Sequence, residues 1–214
     1  MIDVKQQLKV YAERAMEYTN ARINEAEQES KAMALEQLYG AMRHSLNAGG
    51  KRVRPALVYA FCKAVGGELS MADSAASATE MSHTASLIFD DLPALDNDDL
   101  RRGKPSCHKA FGESTAILAG IGLVVAPFQF MCEDPLLSDA QKAALSGILA
   151  RRCGVVGLIG GELKDMDIKS LDMQFLHQCY EGETISIRKR EAAEGFEIGI
   201  LSGEGVLAFA AAVK

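Results

Sequence analysis

The sequence predicts an all-α fold, on three observations. Apolar residues recur at helical spacing: Leu35, Leu38, Tyr39, Met42 and Leu46 fall at i, i+3, i+4, i+7 and i+11. No stretch alternates convincingly with period two, and the apolar runs are too long for strands. Glycine pairs, Gly49-Gly50 and Gly66-Gly67, stand where such stripes end. The expectation is many antiparallel helices of roughly 12 to 20 residues, with functional groups projecting inward from facing helices.

Taken in order, residues 1 to 24 read as a surface helix with Val4, Leu8 and Tyr11 inward. A second helix is expected over Ala26 to Asn47. Lys51-Arg52-Val53-Arg54 then precedes Pro55, a residue suited to the start of a helix, here one carrying Leu57, Val58, Phe61, Cys62 and Val65. Lys51, Arg52 and Arg54 thus cluster before a helix N-terminus, where free N–H groups and the helix dipole favour anions. Met71 to Phe89 lacks Gly and Pro and reads as one helix, with Ser70 able to cap it and Asp73 three residues on. Further helices are expected over Glu113 to Met131 and Ser138 to Gly157, the latter opened by a Ser138/Gln141 capping box. Val155 to Gly161 is apolar and Gly-rich and leads into Glu162, Asp165 and Asp167. A helix is read over Asp172 to Ile187, and the Ala-rich segment Glu191 to Lys214 is helical in tendency.

The most informative stretch is Phe89 to Lys104, FDDLPALDNDDLRRGK. Asp90, Asp91, Asp96, Asp98 and Asp99 fall within ten residues, and Arg101, Arg102 and Lys104 follow at once. Asp90 and Asp91 lie near a helix C-terminus, where the dipole disfavours carboxylates by a few tenths to about 1 kcal/mol each. A positive partner is therefore expected. Mg²⁺ takes one or two carboxylates plus substrate phosphate oxygens, and Arg is the fork-like partner of phosphate. Acid beside Arg-Arg suits a magnesium–phosphate site. An EF-hand fails on spacing: begun at Asp96 or Asp98, its fifth position is Leu100 or Arg102 and its twelfth Cys107 or Lys109.

Composition bounds the rest. The 214 residues suffice for one sizeable domain, and 48% of them are apolar. A net charge of −6 argues against nucleic acid as a general partner. Five scattered Cys with no C-x-x-C suit a reducing compartment. The polar, amphipathic first 30 residues do not read as a signal peptide. The most apolar run, Ala116 to Cys132, is interrupted by Pro127 and Gln129 and falls short of a span of about 20 residues. The expectation is a core helix, no stable membrane insertion and a cytoplasmic protein.

GGKRVRP (49–55), MSHTASLIFDDLPALDNDDLRRGKPSCHKAFGESTAILAG (81–120) and GGELKDMD (160–167) together resemble the trans-isoprenyl diphosphate synthases, farnesyl and geranylgeranyl diphosphate synthases above all. The resemblance implies an isoprenoid-synthase-type helical bundle around a central apolar cavity, one domain over 1–214. It implies a Mg²⁺-dependent prenyltransferase that joins isopentenyl diphosphate to an allylic diphosphate, as a homodimer. By the same resemblance Asp90 and Asp96, with Asp91 in support, match the Mg²⁺ ligands. Asp90, Asp96 and Arg101 match the catalytic set, Arg101 facing the allylic diphosphate. Lys51, Arg54, His83 and Arg102 match the isopentenyl diphosphate contacts, and Thr184 falls at a phosphate-contacting Lys-Thr pair, read here as Glu183-Thr184. His83 stands seven residues before Asp90, two helical turns away on nearly the same face.

Four departures accompany the match. The family's second aspartate-rich motif is not found in these residues, so the bundle is expected to be truncated on its C-terminal side. Glu183 replaces Lys, Ile121 stands where Asp is expected, and Glu162 replaces Gln. The alternative is a non-catalytic or truncated prenyl synthase subunit that binds substrate or a full-length partner. A terpene cyclase is disfavoured, since it has no isopentenyl diphosphate for GGKRVRP to hold. Ala85 and Ser86, five and four residues before Asp90, are small. By the resemblance they floor the elongation pocket and would admit a chain longer than farnesyl.

Overall fold

The computed structural model describes residues 4–166, 171–175, 186–192, 195–201 and 207–213. It divides into two compact units, 1–150 and 151–214, where the sequence suggests one domain.

The first unit is helical. α1 (Val4–Glu29) buries Tyr11, Ala15, Thr19 and Ile23, one residue per turn along a single stripe. It runs past the expected end at residue 24. The break comes instead at Ser30, whose hydroxyl bonds back to the Ala26 carbonyl, and at Ala34, which turns left-handed with φ 53°. α2 (Glu36–Leu46) buries Ala41, Met42 and Leu46. α3 (Val53–Ala64) buries Pro55, Ala56 and Tyr59 and leaves Leu57, Phe61 and Val65 exposed.

α4 (Asp73–Asp90) is the central helix, packed along α6 (Glu113–Glu133) and against α1 and α3. Its buried positions lie all round it, and most are small: Ser74, Ala76, Ser77, Ala78, Ser82, Ala85. Small residues let neighbouring backbones come close. At Gly120 of α6 an added Cβ would lie 2.7 Å from the Phe89 ring, so the glycine makes room for the last turn of α4. The expected Ser70 cap is not made. A short 3-10 turn over Leu69–Ala72 precedes α4, and Asp73 instead receives Arg14 and the Tyr59 hydroxyl.

Pro127 does not interrupt α6, which is continuous over 21 residues. Glu113–Glu133 and Asp139–Glu162 are each long and apolar enough to cross a bilayer by length and composition. α6 nonetheless buries Ala116, Ala119, Leu123, Phe130 and Met131 in the protein core. The capping box forms as expected: Ser138 N–H donates to Gln141 Oε1 at 2.9 Å ahead of α7 (Asp139–Cys153).

Between α4 and α6 lie a hairpin, β1 (Leu100–Arg101) and β2 (Lys104–Pro105), and the short α5 (Cys107–Phe111). The hairpin is not apparent from sequence patterning. Its two central residues, Arg102 and Gly103, have φ 55° and 79°, the left-handed pair that a two-residue turn needs.

The second unit holds α8 (Leu158–Met166) and an antiparallel sheet of β3 (Leu171–Phe175), β4 (Ser186–Ala192), β5 (Gly195–Leu201) and β6 (Leu207–Val213), ordered β3-β6-β5-β4. The all-α class holds for the bundle. Within the spans where helices are expected, Asp172 to Ile187 and Glu191 to Lys214, the described residues lie in these strands, and the others lie outside the described residues. Alternation does run through β5, where Phe196, Ile198 and Ile200 fall two apart, and the alanine content around it masks the pattern.

Candidate functional site

α4 supplies the spine of the site. Glu80, His83 and Leu87 follow one another a turn apart, and Asp90 and Asp91 close the helix. The loop beyond folds back by backbone bonds: Asp96 N–H donates to the Asp90 carbonyl at 2.9 Å, and Asn97 N–H to the Leu92 carbonyl at 3.1 Å. Residues six apart in sequence are thereby joined at the backbone, which keeps Asp96 beside the end of α4.

The positive partner expected at this helix end is present, and it is an arginine. Arg101 Nε lies 2.9 Å from Asp91 Oδ1 and 3.2 Å from Oδ2, with Nη2 also on Oδ1. Asp91 is 2% exposed. Its carboxylate is buried in a fork-like pair and offers nothing outward as it stands. Asp98 is 3.5 Å from the same guanidinium, and Asp99 pairs with Lys109 at 2.8 Å. Among the described residues no three His, Cys, Asp or Glu side chains gather into a metal-binding group. Asp90 and Asp96 are the two residues of the motif that the loop joins through their backbones.

The charges of four arginines bear on His83. Half-buried on α4, its imidazole is pushed down to about 4 by burial first, and then by the charges of Arg54, Arg102, Arg52 and Arg101. It is therefore neutral at pH 7. A histidine held neutral among four guanidinium groups marks a place whose field favours an anion.

Each arginine is delivered by a distinct device. Arg54 is exposed in the first turn of α3. Arg102 sits at the hairpin tip and donates to the Gly49 carbonyl; an added Cβ at Gly50 would lie 2.5 Å from its guanidinium. That close approach, with φ at 121°, is why glycine stands at 50. His44 Nε2, 2.8 Å from the Pro105 carbonyl, ties the hairpin to α2. Burial and repulsion from Arg52 lower the pKa of Arg102.

One residue that the sequence assigns to the site lies apart from these side chains. Lys51 is exposed and lines a separate groove with Leu8, Ala12 and Met16 of α1. Thr184, with Glu183, lies outside the described residues. Arg52, which the sequence places in the basic cluster, is buried. Its guanidinium pairs with Glu80, and the two side chains are 7% and 2% exposed. Glu80 belongs to none of the sequence motifs. The signal that could have found it is a lone carboxylate amid small residues, three positions before His83.

The polyprenyl synthetase family model matches residues 35–190, a span that contains every one of these groups except those on α1. The chain belongs to the polyprenyl synthetase family. Among its members, geranylgeranyl pyrophosphate synthase 4 of Arabidopsis thaliana is 44% identical over 76% of this chain and 45% of its own length. The farnesyl diphosphate synthase of Haemophilus influenzae is 45% identical over 69% of this chain and 50% of its own. The crystal structure of a geranyltransferase from Legionella pneumophila superposes with a TM-score of 0.68 at 39% identity, covering 75% of this chain and 55% of that one. The chain spans about half the length of the curated relatives it matches.

Proposed function

We propose that this chain carries the isopentenyl diphosphate site and the first metal wall of a Mg²⁺-dependent trans-prenyltransferase making farnesyl or geranylgeranyl diphosphate. The observation that carries the reading is the placement of His83, within the charge field of Arg54, Arg102, Arg52 and Arg101, two turns from Asp90 on one helix. A diphosphate of one substrate fits the cationic cluster. The metal-bound diphosphate of the other fits the acidic helix end.

The donor set fits Mg²⁺ as two carboxylates, Asp90 and Asp96, with remaining positions for phosphate oxygens and water. When bound, the metal neutralises charge growing on the departing diphosphate. The chain's own residues do the rest. Arg54 and Arg102 hold the isopentenyl diphosphate, and His83 donates to it from a neutral ring. The C–O bond of the allylic diphosphate breaks and the electron pair leaves with pyrophosphate. The C=C of isopentenyl diphosphate attacks the allylic cation to form the new C–C bond, and the resulting cation gives a proton to the departed pyrophosphate to restore a C=C. Arg101 can turn from Asp91 to the departing oxygens, which would leave the Asp91 carboxylate available as a further Mg²⁺ ligand. By the family resemblance, apolar helix faces would keep water from the cation.

Supporting a homodimer, α6 leaves Ile117, Leu118, Ile121 and Val125 exposed on one side, a face suited to a second copy. Sedimentation showing only monomer at micromolar protein would remove that part. A cytoplasmic location belongs to the same reading and rests on composition alone.

A second reading is supported by Asp91 being engaged by Arg101. In it the chain binds substrate or a full-length partner without turnover. Incubation with Mg²⁺, labelled isopentenyl diphosphate and, in turn, dimethylallyl, geranyl and farnesyl diphosphate separates the two. C15 or C20 diphosphate establishes the enzyme; isopentenyl diphosphate binding without product selects the second reading.

A further inference from the structure

We infer that Glu80 is a positioning residue for the diphosphate-binding cluster, acting through Arg52. This rests on the proposed reading of that cluster as a diphosphate site. Arg52 adopts φ 49°, a left-handed conformation that a non-glycine residue holds only when its surroundings compel it. Here the compulsion is visible. One guanidinium nitrogen of Arg52 donates to Glu80 and another to the Leu46 carbonyl, within side chains 7% and 2% exposed.

Those two bonds join three elements at one buried point: the C-terminal end of α2, the start of α3 and the middle of α4. Of the three cations in Lys51-Arg52-Val53-Arg54, only Arg52 is drawn inside, and both Lys51 and Arg54 stay exposed. The turn at Arg52 thus sets where Arg54 leaves the backbone. Glu80 sets that turn relative to His83, one helical turn further along α4.

Glu80 also has an electrostatic task. Arg52 and Arg102 repel each other, and Glu80 acts on Arg102 in the opposite sense to Arg52. Without this carboxylate the guanidinium groups around His83 lose the buried counter-charge that the middle of α4 provides, and the cluster spreads. A cationic cluster held together by one anion placed behind it is preorganised for a second anion in front.

The test measures two bindings by calorimetry: inorganic pyrophosphate without Mg²⁺, which reads the cationic cluster, and geranyl diphosphate with Mg²⁺, which reads the acidic helix end. Glu80→Gln is expected to weaken pyrophosphate at least tenfold and leave Mg²⁺-dependent geranyl diphosphate within twofold. Because Glu80→Gln leaves Arg52 buried and unpaired and can unfold the chain, the paired variant Arg52→Met/Glu80→Met is measured too. It leaves no buried charge at this point, should melt within a few degrees of the parent, and should show the same split. An equal loss of both bindings in the folded paired variant, or undiminished pyrophosphate binding, overturns the positioning role. A parent chain that binds no pyrophosphate removes the site itself and this inference with it, a result distinct from either.

Discussion

Arg101 holds Asp91 through Nε at 2.9 Å from Oδ1, so one residue of the acidic motif is the internal counter-ion of one residue of the basic motif. Charge that the sequence presents as two adjoining blocks is partly neutralised before any ligand arrives.

This divides the aspartates by consequence. Asp91→Ala should cost about 1–3 kcal/mol of stability, since Arg101 loses its fork partner in a part-buried setting. Asp90→Ala should leave helical circular dichroism and the denaturant midpoint nearly intact while abolishing Mg²⁺-dependent turnover. Paired urea melts and turnover assays check both. Collapse of the Asp90→Ala fold would make that carboxylate structural.

His83 predicts a pH dependence with a definite sign. Its folded pKa, about 4, lies below the ordinary value of 6.5. The fold therefore favours the neutral ring. The stability His83 contributes is complete above about pH 6.5 and is lost as pH falls toward about 4, because the unfolded chain takes the proton first. Replacing it, His83→Gln, should flatten that part of the stability curve. Bound diphosphate raises the pKa again, so pyrophosphate binding near about pH 5.5 should take up a fraction of a proton, read from calorimetry in buffers of different ionisation enthalpy.

Gly50→Ala should disturb the site more than the fold. The φ of 121° costs an alanine roughly 1–3 kcal/mol, and its Cβ would meet the Arg102 guanidinium at 2.5 Å. Arg102 must swing away. Pyrophosphate affinity should fall by more than the stability loss explains.

The docking of α1 makes a separate prediction. Asp73 takes Arg14 Nε and Nη2, both at 2.7 Å, and the Tyr59 hydroxyl at 2.6 Å. Burial and Asp73 together raise the Tyr59 pKa strongly, so the phenol stays protonated and donating. Asp73→Ala strands a buried hydroxyl and a guanidinium, and should cost about 2–3 kcal/mol. Tyr59→Phe together with Asp73→Ala should cost less than the sum of the two single changes, measured as a double-mutant cycle.

The helical bundle is legible in the sequence because helix formation is a local matter. Apolar spacing marks α2, glycine pairs mark the ends of α2 and α3, and Ser138 with Gln141 marks the start of α7. The candidate site is legible as a set of residue types at a given spacing: acid, then Arg-Arg-Gly, with a Gly-Gly-Lys-Arg segment one helix earlier. What only the tertiary structure decided is which charge meets which. Arg52 turns inward to Glu80 and Arg101 turns to Asp91, while Arg54 and Arg102 stay exposed. These choices depend on burial and on partners 10 to 53 residues away in the chain, from Arg101 with Asp91 to Arg102 with Gly49. Sequence spacing sets what one helix face can present. Long-range packing sets which of those groups is left for a ligand.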